Sequence, residues 1–345
     1  MSVLSISSLH VAYKHKKVIQ GLELAVHSGE IVALFGPSGC GKTTVLKSVA
    51  GLLEQATGNI RIAGHSVLSE SENLATEKRK VGLIFQDYAL FPHLTVAENV
   101  AFGLSALNKN QKQAKVDQML ALVKMTSYAQ SYPSQLSGGQ QQRIAIIRAL
   151  ACEPDILLFD EAFSNIDPQL RFELISEIRA LLKKHNTAAL FVTHNQDEAF
   201  AFCDRIAVMH QGKIEQIDRA DKLFNEPKTK FVAEFLGDGV WLKTKVINPN
   251  LLSSELGDVV YSGHQKLDST IGQDVDVYVR PHQLTLIPNP QAKIIVEHER
   301  FVGDFYESQI NFSGQLINVR TKYSFLNQRV DLGFDASVAA VFPVS

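Results

Sequence analysis

Residues 31–43 read IVALFGPSGCGKT, an apolar run of five residues followed directly by a glycine-rich loop. The loop has the spacing G-x-x-x-x-G-K-[ST], which is typical of loops that cradle nucleotide phosphates. Its glycines let backbone N–H groups turn inward, and the helix that begins after it adds partial positive charge. We expect Lys42 to reach the β- and γ-phosphates and the hydroxyl of Thr43 to bind Mg²⁺. The predicted nucleotide-binding residues of this segment are Gly36, Pro37, Ser38, Gly39, Cys40, Gly41, Lys42, Thr43 and Thr44. The alternative is a glycine-rich turn that binds nothing.

Further apolar runs alternate with helical patterns on the C-terminal side of this loop. With the first run, the apolar runs cover residues 31–35, 81–85, 156–159, 188–192 and 206–209. The helical patterns cover residues 44–52, 114–128, 140–151, 168–185 and 196–202. Runs that are apolar throughout are typical of strands buried on both faces of a parallel sheet. The alternation predicts a three-layer α/β domain with its ligand site at the carboxyl ends of the strands. Residues 89–135 show helical pattern without a convincing strand, which indicates a helical insertion.

The pattern changes after about residue 237, where helical periodicity gives way to short alternating runs. These runs cover residues 275–279, 294–297, 309–312, 316–320 and 338–342. The sequence Phe312-Ser313-Gly314-Gln315 between two of them favours a hairpin turn. We therefore predict an α/β domain over residues 1–237 and a small β domain over residues 238–345.

Composition limits the classes of function. The chain has 345 residues, of which 45% are hydrophobic, and a formal net charge of −2, so nothing favours nucleic acid as a partner. Its three cysteines are widely spaced, which predicts neither a disulfide framework nor a zinc site and suits a reducing, cytosolic setting. We expect no signal peptide. A membrane span needs ~18 or more apolar residues, so in a membrane transporter another chain would form the pore.

A pair of carboxylates ends the apolar run at residues 156–159. Asp160 is expected to face the phosphate loop and hold the magnesium shell, as in P-loop enzymes. Glu161, the next residue, is a candidate base that accepts a proton from an attacking water. Alone, such a pair is also found at ordinary strand ends. Together with the phosphate loop, it predicts nucleotide hydrolysis.

A second glycine-rich helix start follows the insertion, at Leu136-Ser137-Gly138-Gly139-Gln140. Considered alone, it is a helix start with Ser137 as N-cap. With the phosphate loop and the Asp-Glu pair, the chain resembles the ATP-binding-cassette (ABC) family, whose signature is this LSGGQ pentapeptide. In that family the signature of one subunit closes over the γ-phosphate of ATP held by the other. The resemblance implies a P-loop NTPase cassette, ATP and Mg²⁺ as ligands, and a head-to-tail homodimer in which Ser137, Gly138, Gly139 and Gln140 contact the partner's nucleotide.

Further motifs of the family occur in the expected order. Tyr13, before the first strand hairpin, matches the aromatic residue that stacks on adenine, although a lone tyrosine is more often a core or edge residue. Gln86 matches the glutamine that reaches Mg²⁺ and the attacking water and couples to the membrane subunits. His194 matches the switch histidine that contacts the γ-phosphate.

Two residues depart from the family pattern. Ala162 stands where the family usually has proline after the catalytic glutamate. Residues 164–167 occupy the place of the dimer-interface loop, which commonly reads SALD, and Asn165 replaces its alanine. Neither change removes a catalytic group, so hydrolysis is still expected, while communication between the two sites could differ.

Cys40 lies inside the phosphate loop, at a helix N-terminus where a thiolate is favoured. We expect alkylation of this thiol to block ATP binding and prior ATP to protect it. The alternative is a small residue that fills space.

Residues 85–96 resemble the corresponding loop of importer ATPases for sugars, iron, sulfate and polyamines. That group carries a C-terminal OB-like (TOBE-like) β domain with a V-R-P-[EH] segment, and residues 279–282 read VRPH. Residues 160–164 and 237–241 are most similar to ferric-iron importers. The resemblance implies two transmembrane permease subunits, a periplasmic or surface solute-binding protein, and a peripheral position on the cytoplasmic face of the bacterial inner membrane. The tail is expected to regulate or to brace the dimer.

Two other classes of P-loop protein fit the sequence less well. A soluble cassette ATPase acting on DNA or ribosomes usually has two cassettes or a long coiled-coil insertion, and neither is present here. A small-molecule P-loop kinase would leave the LSGGQ segment and His194 unexplained.

Overall fold

The computed structural model describes residues 2–14, 16–254, 257–261, 267, 271–312, 314–334 and 340–344. The chain divides into two compact units, residues 1–220 and 221–345. Among the described residues, no helix is long and apolar enough to cross a membrane.

The first unit combines two sheets with six helices. Its strands are β1 (Ser2–Tyr13), β2 (Lys16–His27), β3 (Ile31–Phe35), β4 (Ala56–Ile62), β5 (His65–Leu68), β6 (Val81–Ile84), β7 (Ile156–Asp160), β8 (Ala188–Thr193), β9 (Arg205–His210) and β10 (Lys213–Asp218). Its helices are α1 (Lys42–Ala50), α2 (Val96–Ala101), α3 (Lys109–Leu122), α4 (Gly138–Ala151), α5 (Pro168–Lys184) and α6 (Gln196–Phe202).

The larger sheet has six strands in the order β10-β9-β3-β8-β7-β6. The pairs from β9 to β6 are parallel and only β10 runs antiparallel. Strands β3 and β8 are buried along their whole length, which explains why their sequences are apolar throughout. The predicted α/β fold is confirmed, and all five predicted strands are present with shifts of at most one residue at their ends.

The smaller sheet is antiparallel, in the order β2-β1-β4-β5. Its buried residues form one apolar core with α1 and the central strands of the larger sheet. Tyr13 is the last residue of β1 and pairs with Lys16 of β2. Tyr13 therefore lies within the first hairpin, whereas its predicted position is before the hairpin.

Helix α1 is fixed at its C-terminus by a buried arginine. Arg79 is 2% exposed, and its guanidinium donates to the carbonyls of Ser48 and Val49 at 2.7 and 3.0 Å. The same side chain donates to Leu74 O at 2.7 Å. These bonds satisfy carbonyls that a helix end leaves without partners, and they anchor the helix that follows the phosphate loop.

Residues 89–135, all of them described, contain α2, α3 and two short 3₁₀ turns, Thr126–Tyr128 and Pro133–Gln135, and no strand. Both helices begin with a capping box, at Thr95 and at Asn108. The reciprocal hydrogen bonds of a capping box satisfy free N–H groups, so these helices have well-defined starts.

The second unit is mostly β. Its strands are β11 (Val240–Asn248), β12 (Leu251–Ser254), β13 (Gly257–Val260), β14 (Asp274–Val279), β15 (Leu284–Pro288), β16 (Ile294–Ile295), β17 (His298–Phe301), β18 (Tyr306–Phe312), β19 (Gln315–Thr321), β20 (Arg329–Phe334) and β21 (Ala340–Pro343). The described strands form sheets of five, three and three strands around one apolar core. The predicted hairpin is confirmed by the pairing of β18 with β19, in which Phe312 lies opposite Gln315. Ser313 and residues 338–339, which belonged to predicted turn and strand segments, lie outside the described residues.

Two short helices, α7 (Ala220–Asn225) and α8 (Lys230–Phe235), precede these strands. The change of pattern at about residue 237 therefore marks the start of the strands, while the division into compact units falls earlier. Arg280, in the VRPH segment, holds both helices to the β core. It is 5% exposed, donates to Phe224 O and Ala233 O at 3.2 and 3.3 Å, and stacks 3.8 Å above the Phe224 ring. This arginine has a structural role within the unit.

Candidate nucleotide-hydrolysis site

Three neighbouring parallel strands end at the same edge of the larger sheet. In the sheet register, Phe35 at the end of β3 pairs with Thr193 at the end of β8, and Asp160 at the end of β7 pairs with Val192. The phosphate loop, Glu161 and His194 each follow one of these strands. The topology thus brings together three segments that are far apart in the sequence.

The phosphate loop spans Gly36 to Gly41, and Lys42, Thr43 and Thr44 form the first turn of α1. Gly41 has a φ of 110°, and a Cβ atom there would lie 2.5 Å from the Ile19 side chain. A Cβ atom on Gly36 would lie 2.3 Å from the carbonyl oxygen of Met209. Glycine is required at both positions, because the first needs an unusual backbone conformation and the second has no room for a side chain.

The Lys42 ammonium is held inside the loop. The residue is 6% exposed, and Nζ donates to the carbonyl oxygens of Gly36 at 2.7 Å and Pro37 at 3.1 Å. Its printed partners are these two carbonyls and the Cys40 sulfur at 4.0 Å, none of them an anion. The buried cation is therefore well prepared for an anionic ligand, because phosphate oxygens would supply the negative charge.

Asp160 and Thr43 form an oxygen pair beside the loop. The Thr43 hydroxyl donates to Oδ1 of Asp160 at 3.2 Å, and both residues are half-buried. Burial raises the pKa of the Asp160 carboxyl, with a smaller contribution from the nearby Glu161 charge. The hydroxyl of Thr43 and the carboxylate of Asp160 are hard oxygen donors of the kind that Mg²⁺ prefers. A cation beside them would also stabilise the charged form of the half-buried carboxylate. The donor set therefore fits the expected ion.

Glu161 and His194 meet at the edge of the sheet. Nδ1 of His194 lies 3.2 Å from Oε1 of Glu161, with the two side chains 58% and 26% exposed. The backbone of Glu161 is fixed by its N–H bond to Val192 O at 3.0 Å and by the Ser164 hydroxyl, which donates to its carbonyl at 2.8 Å. Glu161 has a φ of 49°, a conformation that residues other than glycine adopt rarely and often at functional sites.

A buried aromatic cluster packs next to this edge of the sheet. Phe159, Phe163, Phe191 and Phe202 are fully buried, with ring centroids 5.1 to 6.4 Å apart. Ala162, at the position of the family's proline, is also fully buried. The main chain that carries the two carboxylates is thus held by rigid packing.

The expectation of a thiolate at Cys40 is wrong. The residue is 5% exposed, and burial raises the pKa of its thiol despite the Lys42 ammonium 4.0 Å away. Loss of solvation outweighs the helix N-terminus and the neighbouring cation. Cys40 is therefore a buried neutral thiol on the inner side of the loop.

Gln86 follows β6 and is exposed. In the described part of the chain its side chain makes no hydrogen bond with Thr43 or Asp160. Its backbone carbonyl instead accepts a hydrogen bond from Nδ2 of Asn165 at 2.9 Å. The loop that carries Gln86 is thus joined to residues 164–167 by the residue that departs from the family pattern.

The LSGGQ segment begins α4 as a capped helix. Ser137 Oγ accepts from Gln140 N at 3.4 Å, and Gln140 Oε1 accepts from Ser137 N at 2.9 Å. Gly138 and Gly139 form the first turn, and a Cβ atom on Gly138 would lie 3.4 Å from Asn165 O. A cavity of about 290 Å³ extends from this helix start to residues 165–167. Among the described residues, no hydrogen bond or ion pair connects the segment with the phosphate loop of the same chain.

Tyr13 is 41% exposed at the end of β1. The hairpin that carries it approaches the phosphate loop through Val18, whose carbonyl oxygen would lie 3.3 Å from a Cβ atom on Gly41. This places the hairpin against the loop and leaves the ring of Tyr13 accessible to a planar ligand.

Sequence reasoning missed a buried network behind His194. Glu198 is 2% exposed, lies 3.2 Å from Nη1 of Arg171, and accepts from the Thr193 hydroxyl at 2.8 Å. Burial raises the pKa of Glu198. The spacing Asn195-x-x-Glu198 is typical of a helix cap and predicts an exposed glutamate. An acidic residue within the sequence EAFAF, next to two apolar strands, was the only local signal of its burial.

The sequence is similar to proteins of one known family. The sequence model described as "ABC transporter" matches residues 19–164. The Fe(3+) ions import ATP-binding protein FbpC of Photorhabdus laumondii is 39% identical over 311 residues, covering 88% of this chain and 86% of that protein. The sulfate/thiosulfate import ATP-binding protein CysA of Neisseria meningitidis serogroup B is 37% identical over 352 aligned positions, covering 99% and 92%. CysA of Escherichia coli K12 is 45% identical over 241 residues, covering 68% of this chain and 65% of that protein.

The phosphate loop, the paired carboxylates and the LSGGQ helix start on one α/β cassette define an ATP-binding ATPase, and the chain belongs to the ABC transporter family. Within that family it is an ATPase subunit of the importer class, as all three relatives are by name.

Proposed function

We propose that this chain hydrolyses Mg²⁺-bound ATP as a homodimer and drives the uptake of a solute through two permease subunits. The observation that carries the proposal is the contact between Glu161 and His194 at 3.2 Å, just beyond the ends of two adjacent strands and next to the Asp160–Thr43 pair. It combines a candidate base, a candidate γ-phosphate ligand and a candidate cation site at one edge of the sheet.

Thr43 and Asp160 would hold the magnesium ion, with Gln86 as a third ligand in the closed state. When bound, Mg²⁺ supplies charge neutralisation between the β- and γ-phosphates. The Lys42 ammonium contributes a second positive charge, and on nucleotide binding it would exchange the loop carbonyls for phosphate oxygens as hydrogen-bond partners. The N–H groups of residues 36–41 and of the first turn of α1 surround the remaining phosphate oxygens.

Glu161 accepts a proton from the attacking water through its carboxylate. His194 orients this group, because Nδ1 faces Glu161 and Nε2 is then the nitrogen available to the γ-phosphate. The backbone bonds of Glu161 with Val192 and Ser164 hold its rare conformation and keep the carboxylate at the strand end during this step. Tyr13 stacks on the adenine ring from the hairpin.

The second half of each site is contributed by the other subunit. Residues 137–140 have no connection to the phosphate loop of their own chain among the described residues, and their helix start presents N–H groups suited to an anion. In a head-to-tail dimer, Ser137, Gly138, Gly139 and Gln140 of one copy would close over the γ-phosphate bound by the other. Closure of the dimer would pull on the permease subunits near Gln86. The chain would lie on the cytoplasmic face of the membrane, and a solute-binding protein would deliver the cargo.

Ferric iron is the proposed cargo, supported by the 39% identity to the Fe(3+) import protein over 88% of the chain. Sulfate or thiosulfate is the second candidate, because the relative that covers 99% of the chain imports these ions by name. The formal net charge of −2 gives no electrostatic footprint for nucleic acid, so we propose none as a partner.

Uptake of labelled ferric iron and labelled sulfate tests the cargo, in cells that lack this gene and any redundant system. The cells are complemented with wild type, Glu161→Gln or an exposed control, Glu77→Gln. Iron uptake restored by wild type and Glu77→Gln, and not by Glu161→Gln, would support iron and the need for hydrolysis together. Restoration of sulfate uptake alone would replace iron by the second candidate. Restoration by Glu161→Gln would overturn the role of this carboxylate.

A further inference from the structure

We propose that Asn165, Arg171 and Glu198 are positioning residues that join the loop of Gln86 to the loop of His194 inside each subunit. The inference rests on the proposed roles of Gln86 and His194 and adds the device that moves them together. The two connections meet at residues 165 and 166. The Asn165 side chain bonds to the loop of Gln86, and the Arg171 side chain bonds to the carbonyl of Ile166.

The first connection is made by Asn165. Its Nδ2 donates to the carbonyl of Gln86 at 2.9 Å, across 79 residues of sequence. Gln86 has left the strand β6, so this bond fixes backbone that no sheet pairing holds. Alanine, the common family residue here, has no donor and could not make it. The bond is exposed, and breaking it should cost little stability.

The second connection begins at the next residue, Ile166. Nη2 of Arg171 donates to Ile166 O at 3.0 Å, and Nη1 of the same guanidinium lies 3.2 Å from Oε1 of Glu198. Their side chains are 17% and 3% exposed. A buried ion pair of this kind is costly to break, since either charge alone would be stranded away from water.

Glu198 carries the connection to His194. Its Oε2 accepts from the Thr193 hydroxyl at 2.8 Å, and Thr193 Oγ1 accepts from the N–H of Asn195 at 3.0 Å. The residues on both sides of His194 are therefore held by one hydroxyl, which is itself held by Glu198. The His194 imidazole is 58% exposed and contacts Glu161 at 3.2 Å, so its position depends on that contact and on this backbone.

The two connections differ in strength. This difference suits a device that couples the Gln86 loop to the His194 loop, because one half can form and break while the other half stays in place. The buried half, from Ile166 to Thr193, is rigid, while the half from Asn165 to Gln86 is a single exposed hydrogen bond. A shift of the Gln86 loop would displace residues 165–166 and, through Arg171 and Glu198, the backbone around His194. Coupling of this type requires physically contiguous contacts, which these residues supply.

The test is a double-mutant cycle with Asn165→Ala and Glu198→Gln in the transporter assembled with its permeases. The steady-state kcat and the KM for MgATP are measured for each variant. Each single change should lower kcat about 3- to 30-fold with the KM changed less than about 2-fold, because the group positioned acts on the reacting phosphate. The double variant should be no slower than the slower single variant by more than about 2-fold.

Asn110→Ala is the matched control, an exposed asparagine of α3 outside every contact argued here, and it should leave kcat unchanged. If Glu198→Gln lowers the yield of folded protein, Arg171→Lys replaces it, because lysine keeps the charge but cannot bridge Ile166 and Glu198 together. Independent, multiplicative losses in the double variant, or a wild-type kcat for Asn165→Ala, would overturn the inference.

Gln86→Ala and His194→Ala are measured in the same preparation. If both lose hydrolysis while Asn165→Ala keeps the wild-type kcat, only the coupling device fails. If both retain full hydrolysis, the proposed catalytic roles fail, whatever the cycle shows.

Discussion

Nδ1 of His194 lies 3.2 Å from Oε1 of Glu161, although 33 residues (194 − 161) separate them in the sequence. The contact exists because β7 and β8 are parallel neighbours that end within one residue of each other, with Asp160 opposite Val192. Each strand delivers its reactive residue just beyond its last sheet pairing, where the side chain is free to meet a ligand. The geometry of the proposed hydrolysis site thus follows from sheet register.

Replacing Glu161 by glutamine should abolish turnover and preserve ATP binding. The amide keeps the size of the side chain but cannot accept a proton, and loss of a general base typically costs about 10²- to 10⁴-fold in rate. Phosphate release reports hydrolysis, and equilibrium binding of a fluorescent ATP analogue reports affinity. Glu77→Gln is the surface control, and wild-type turnover by Glu161→Gln would contradict the assignment.

Replacing Gly41 by alanine should abolish nucleotide binding. Its φ of 110° is unfavourable for alanine, so the loop backbone should change conformation, and the new Cβ atom would also displace the end of the Ile19 side chain, 2.5 Å away. Gly64→Ala is a matched control, since Gly64 also has a positive φ, of 82°, but open space around it. Both variants should lose about 1 kcal/mol of stability from backbone strain. Only Gly41→Ala should lose ATP binding, and equal ATP affinity of the two variants would count against the loop as the phosphate site.

Alkylation of Cys40 should be slow at neutral pH and should block ATP binding once it occurs. Burial raises the pKa of this thiol, so the thiolate fraction is small and grows as the pH is raised. Mass spectrometry of iodoacetamide-treated protein at several pH values measures the rate, with and without ATP. ATP should protect Cys40, and a Cys40→Ala variant should keep ATP binding after treatment. Fast modification at neutral pH, or an alkylated protein that binds ATP normally, would contradict the buried position.

Replacing Arg79 by leucine should lower the free energy of unfolding by about 2–4 kcal/mol, because the carbonyls of Val49 and Leu74 would lose the guanidinium donor. Denaturant unfolding measures this loss. Arg61→Leu, an exposed arginine on β4, is the control and should change stability much less. Equal stabilities for both variants would show that Arg79 does not hold the end of the helix.

The fold of the first unit was predictable because its signals are local. Apolar runs such as 188–192 and the glycine spacing of residues 36–43 depend only on neighbouring residues. The long strands β1 and β2 were not among the predicted strands, although the alternating burial of Leu4, Ile6 and their neighbours follows the two-residue period of a half-buried strand.

The parts of the site that sequence could not reveal depend on tertiary contacts. The bond from Asn165 to Gln86 and the pair of Arg171 with Glu198 join separate segments, and no spacing rule connects them. The thiolate expected at Cys40 failed for the same reason, because burial by the surrounding fold outweighs the local effect of a helix N-terminus.

The central claim, a site completed by the partner's LSGGQ segment, is tested most directly by mixing two inactive variants. Lys42→Ala removes the phosphate-loop cation, and Ser137→Arg blocks the start of α4. In a head-to-tail dimer, one site of a mixed dimer combines the intact Lys42 of one subunit with the intact Ser137 of the other. The account predicts no hydrolysis by either variant alone and restored hydrolysis in the mixture. A mixture that stays inactive, while cross-linking shows that mixed dimers form, would contradict it.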